Sequence, residues 1–160
     1  MDIDNEIKKV LEYNKSKNVV LEMSIPRKSY KNHINNLVPQ LLENWCLVRH
    51  CTLSNNTSYK KRWQDELIGH FITISRLSIK GNDSVVTRKK VLEEIWNDND
   101  FNVPLFLNLT IANKFLKENI NIKDETYGKV LSDCIKEQNN IFNVILSRDI
   151  DVIVSYVKSI

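Results

Sequence analysis

Three glycines, three prolines and a single alanine in 160 residues rule out several common architectures. Gly69, Gly81 and Gly128 stand too far apart to build a GxxxxGK[ST] phosphate loop or a GxGxxG dinucleotide turn. All-β folds use Gly and Pro to punctuate their hairpins, so a chain this poor in both is not built from many tight hairpins. Cysteine is scarce as well. Cys46, Cys51 and Cys134 are odd in number and share no repeated spacing, which argues against a disulfide framework and for reduced, buried thiols. No apolar run approaches the ~20 residues needed to span a bilayer. The opening residues, Met1-Asp2-Ile3-Asp4-Asn5-Glu6, are acidic where a secretory leader would be basic and then apolar. The expectation is a soluble cytoplasmic protein without a membrane partner.

What the chain does contain is helical periodicity. Its 42% apolar content and its length suit one domain with a sizeable core. Ile3, Ile7, Val10 and Leu11 form a narrow stripe that predicts a helix over 3–16. Residues 19–26 are more extended in character and read as a linker laid over the core or a short strand. Tyr30, Ile34, Leu37, Val38, Leu41, Leu42, Trp45 and Val48 then follow helical spacing, interrupted only by Pro39. Pro39 either kinks that helix or opens a second one, where its missing N–H costs nothing.

After a polar turn at 53–58, with Thr57 or Ser58 as the expected cap, Tyr59, Trp63, Leu67, His70, Phe71, Ile74 and Leu77 make a second stripe. That stripe predicts a helix over 59–79, ended by Gly81. Ser84 is placed to cap a third helix through Val91, Leu92, Ile95 and Trp96. Leu105, Leu109, Ala112 and Leu116 mark a fourth. Asp124 opens a further helix with Tyr127, Val130, Leu131, Cys134, Ile135, Ile141, Phe142 and Ile145 inward. Ile150, Ile153, Val154 and Val157 suit a last helix capped by Asp149. The fold expected is all-α, an irregular antiparallel bundle of six or seven helices. It forms one domain: residues 1–26 as N-terminal helix and extended segment, 29–80 as a central helical hairpin, and 84–160 as C-terminal helices.

Candidate chemistry is sparse. Cys46 and His50, four residues apart, share a helix face and with Cys51 and His70 could donate to a metal; with Glu43 nearby they could also form a thiol–base pair. A hairpin turning at 55–56, however, puts position i opposite roughly 111 minus i. His50 then faces Lys61 and His70 faces Leu41, so the donors do not converge, and neither a metal nor a catalytic residue is assigned. Asp98-Asn99-Asp100-Phe101-Asn102 alternates oxygen donors like a calcium loop, but Val103 and Leu109 occupy the positions that need Gly and the closing Glu. No cofactor is expected.

Charge is the better clue. Residues 1–80 carry 13 Lys or Arg against 8 Asp or Glu, and residues 81–160 carry 10 against 12, so the overall +3 combines a basic first half with a mildly acidic second. Arg27, Lys28, Lys31, Arg49, Lys60, Lys61 and Arg62 form the candidate basic face. Tyr59 and Trp63 flank its central cluster, although both lie on the apolar stripe and are expected to face the core. Trp45, Trp63 and Trp96 are either core residues or interface anchors, and Val19 to Ile25 offers an apolar docking edge. Without catalytic spacing, the most economical reading is a non-enzymatic protein-binding module of the immunity or antitoxin type, occluding a partner toxin such as a nuclease. The alternative is a small RNA- or DNA-associated regulator that uses the basic face.

Overall fold

The computed structural model describes residues 23–81, 84–98 and 124–160. The helices expected over 3–16 and 105–116, and most of the calcium-like loop, lie outside the described residues. Within them are helices α1 (Arg27–Leu53), α2 (Thr57–Ser75), α3 (Val85–Asp98), α4 (Asp124–Lys136), α5 (Gln138–Ser147) and α6 (Ile150–Ser159). Two short strands, β1 (Met23–Ile25) and β2 (Leu77–Ile79), accompany them. The all-α bundle is therefore what the chain forms.

The α1–α2 hairpin is its spine. α3 and α4 pack on α1, while α5 and α6 pack on α2. The first half of α1 is amphipathic, with Tyr30, Ile34 and Val38 buried at helical spacing. Further along, Asn44, Trp45, Cys46, Leu47 and Val48 are all buried in succession, because neighbours there surround the helix. Pro39 neither ends α1 nor starts a new helix: the helix runs through it, without the backbone donor that proline lacks.

Asn55, at φ 54°, lies in the turn between the helices, and Asn56, not Thr57 or Ser58, caps α2 by accepting from the Tyr59 N–H at 3.3 Å. Asn44 donates to Glu66 at 3.0 Å, within one residue of the register expected for this hairpin.

Three expectations need correction. α2 stops at Ser75 and not at 79, because Leu77-Ser78-Ile79 pairs in parallel with Met23-Ser24-Ile25. The segment over 124–145 is two helices, since the chain turns at Glu137, and Ile135, in the last turn of the first, is exposed and not inward. Tyr59 is also exposed, at 53%.

Gly81 does not cap α2, which ends at Ser75; it follows β2 at φ 86°, whereas the caps expected of Ser84 and Asp149 are made. Ser84 accepts from the Thr87 N–H, and Asp149 accepts from the N–H groups of Asp151 and Val152. Arg148, the last residue before Asp149, is left-handed at φ 49° and buried. Its guanidinium donates to the carbonyls of Ser75 at 2.8 Å and Leu77 at 2.6 Å, tying the end of α2 and the start of β2 to the α5–α6 corner. No described helix is long and apolar enough to cross a membrane.

Candidate functional site

The structure does not gather the basic candidates into one face. Arg27, Lys28 and Lys31 lie in the first turns of α1, and Arg49 lies near its end. A rise of 1.5 Å per residue puts Arg27 and Arg49 about 33 Å apart along the axis. Arg27 and Lys31 both pair with Glu94 of α3 at 3.4 Å.

Arg49 is turned toward the protein. It gives Nε to Asp133 at 2.9 Å and Nη1 to the main-chain oxygen of Ile160 at 3.1 Å. Lys61 and Arg62 pair with Asp65 at 3.5 Å and Glu66 at 3.9 Å along α2. Five of the seven thus have a carboxylate partner, and among the described residues Lys28 and Lys60 have none.

Two candidate surfaces remain, both toward the same end of α1. The first is the hairpin tip. Ser54, Asn55, Thr57, Ser58, Tyr59, Lys61 and Arg62 are exposed there in near succession. Trp63 turns inward and is buried to 2%, while the Arg62 guanidinium lies 4.7 Å from its ring centroid in a cation–π contact. The tip therefore shows a bare aromatic ring among paired and unpaired charges.

The second is a cavity of about 190 Å³ lined by Trp45, Arg49, Asp133, Lys136, Glu137, Tyr156, Ser159 and Ile160. Trp45 Nε1 donates to the Tyr156 hydroxyl at 2.9 Å, which donates in turn to Glu137 Oε2 at 2.9 Å. Asp133 takes one hydrogen bond per oxygen, from Arg49 and from Lys129, both at 2.9 Å. Burial pushes the Asp133 carboxyl up, but the hydrogen bonds and charges of Lys129 and Arg49 outweigh it, so the group titrates below its usual value. Burial pushes the Tyr156 phenol up; the Trp45 hydrogen bond opposes this, and the bond to Glu137 and that carboxylate's charge add to the rise.

Cys46, His50 and Cys51 are all buried in α1. Cys46 is fully buried beside Cys134 of α4, and burial, the Cys134 contact and Glu43 hold its thiol well above the usual value. Burial also raises Cys51, only partly offset by Lys60, and lowers His50. A protonated thiol and a neutral imidazole are the reverse of an activated pair. Among the described residues no group of three or more His, Cys, Asp or Glu could hold a metal.

Trp45 and Trp63 belong to the core; the side chain of Trp96 lies outside the described ones. Of the apolar edge at 19–25, residues 23–25 form β1 and the others are not described. Sequence reasoning missed Asp133, Lys136, Glu137 and Tyr156, because they meet Trp45 and Arg49 from helices up to 111 residues away. Compared with protein-family models, curated proteins and solved structures, the chain matches none.

Proposed function

We propose that this chain is a non-enzymatic protein-binding module of the immunity or antitoxin type, and that the tip of the α1–α2 hairpin is its docking end. Tyr59 carries the proposal: a large aromatic at 53% exposure, in the first turn of a rigid helix, ringed by polar and charged side chains. Tyrosine in that setting serves as an interface anchor, since it covers much area with few rotatable bonds.

The charges around it are mixed in sign, as at the rim of a protein interface. Lys60, at the tip, has no carboxylate partner among the described residues, which suits a partner whose rim is acidic. The carboxylate cluster with which a metal-dependent nuclease holds its cations would be one such surface. Binding there would neutralise the partner by cover, with charge mainly speeding encounter.

A nucleic-acid reading has one observation in its favour, the exposed Tyr59 beside lysines, since aromatic rings stack on unpaired bases. Phosphate-driven binding draws on roughly 6–10 contacts along a continuous surface. The cations here are divided between two distant groups and mostly neutralised, so the protein reading is preferred.

The test is to purify the tagged chain from its native host at native expression, identify what co-purifies, and measure its affinity for the parent and for Tyr59→Ala. A stoichiometric protein complex weakened about 30-fold or more supports the reading, as expected for an interface anchor. Recovery of no protein partner, or of one bound equally well by Tyr59→Ala, removes it. Recovery of nucleic acid with a steep salt dependence would favour the alternative.

A further inference from the structure

We infer that the cavity between α1, α4 and α6 is a binding site for a small zwitterion of the α-amino-acid type. The inference rests on which hydrogen-bonding capacity the surrounding network leaves unspent. Among the described residues, Arg49 uses Nε and one Nη1 hydrogen, leaving three of the five N–H donors of a guanidinium. Lys136 lines the same cavity and has no ion pair with another described residue. These two cations supply charge-assisted donors for a carboxylate.

On the acceptor side, each oxygen of Asp133 already holds one charge-assisted hydrogen bond. Among the described residues, Glu137 accepts from Tyr156 and Asn140 through Oε2 alone, which leaves Oε1 to receive an N–H. The charged side chains of the lining are two cations, Arg49 and Lys136, and two carboxylates, Asp133 and Glu137, so neither a simple anion nor a simple cation is matched on its own. A molecule bearing a carboxylate and an adjacent ammonium satisfies both sets.

Size points the same way. About 190 Å³ is below the ~300–1,000 Å³ of sites for drug-sized ligands and suits a few heavy atoms. The site is also built. Asp133 is 9% exposed and is held from two sides, and Trp45 is 1% exposed with its indole N–H fixed on Tyr156. The walls are therefore set before any ligand arrives, which lowers the ordering cost of binding.

The experiment is an NMR titration of the full chain with glycine, acetate and methylammonium chloride at constant ionic strength. It follows the Trp45 indole N–H and the backbone amides of residues 133–137. The expected result is saturable shifts at these resonances with millimolar affinity for glycine, at least tenfold weaker for acetate and for methylammonium. Lys136→Ala, an exposed position, should weaken glycine at least tenfold and leave the melting temperature unchanged. Glu137→Gln should erase the preference for glycine over acetate, and Lys28→Ala, at the far end of α1, should change nothing. Absence of saturable shifts with glycine, equal shifts with all three probes, or glycine binding undiminished in Lys136→Ala would each overturn the inference.

Discussion

Arg148 offers the sharpest test of how the bundle is held together. Its guanidinium reaches the carbonyls of Ser75 and Leu77, which belong to the end of one helix and the start of a strand and have no helical partner ahead of them. A hydrogen bond to a charged group contributes about 1.5–3 kcal/mol, so two of them set an upper range of about 3–6 kcal/mol. Removing the cation also relieves its desolvation, and water entering the vacated space re-solvates the carbonyls in part, which places Arg148→Ala near ~3 kcal/mol of destabilisation.

Alanine inherits the left-handed backbone at φ 49°, so it gains nothing there. Arg148→Gly relieves that strain and should be about 1 kcal/mol less destabilised than alanine. Lysine keeps the charge but not the fork that serves two acceptors from Nε and Nη2, and should recover only about half of the loss. Urea unfolding at pH 7 reads these values. With a slope of ~1–3 kcal/mol/M, 3 kcal/mol is a midpoint shift of about 1–3 M. An Arg148→Ala midpoint equivalent to less than 1 kcal/mol below the parent, at unchanged slope, would refute the clamp, as would full rescue by lysine.

Three further outcomes follow from the same packing. Asp133 has a lowered folded-state value, so its contribution is present above about pH 3.8 and is lost as pH falls through that lower value. Asp133→Asn should cost on the order of 2–3 kcal/mol at pH 7, with the gap to the parent closing below pH 3.8 in urea titrations; a gap constant from pH 7 to 2 would contradict the ion pairs. Pro39→Ala restores a backbone donor inside α1 and should stabilise by about 1–3 kcal/mol, whereas a loss would mean that packing depends on the proline. Cys46, Cys51 and Cys134 are all buried, so a thiol reagent should modify them only as fast as the protein opens and promptly in urea. A native-state reaction at the rate of a free thiol would contradict that burial.

Much of the fold was legible because it is local. The i, i+4 stripe in 30–48 names residues that are in fact buried, and the Ser84 and Asp149 caps are decided within three residues of chain. The errors have long-range causes. Leu77 continues the apolar stripe of α2, and only its pairing with Met23, 54 residues earlier, makes it a strand. Ile135 continues the Leu131 stripe in the last turn of α4, where the covering layer no longer reaches it. Tyr59 shares a stripe with Trp63, yet periodicity states which residues share a face and not how far the covering layer extends along it.

The sites were less legible than the fold. Composition identified the cations but not their carboxylates: Glu94, Asp133, Asp65 and Glu66 decide which of them remain available. Asp65 and Glu66 follow Lys61 and Arg62 by four residues and could have been read from the sequence; Asp133, 84 residues from Arg49, could not.

The account's central claim is that the α1–α2 tip is the docking end of a protein-binding module. Hydrogen exchange, comparing the free chain with its complex with the co-purified partner, tests this most directly. Slowed exchange confined to residues 54–62, with 27–31 at the far end of α1 unchanged, is the outcome expected. Protection that spares the tip and falls on 27–31, or on the cavity alone, would contradict the claim.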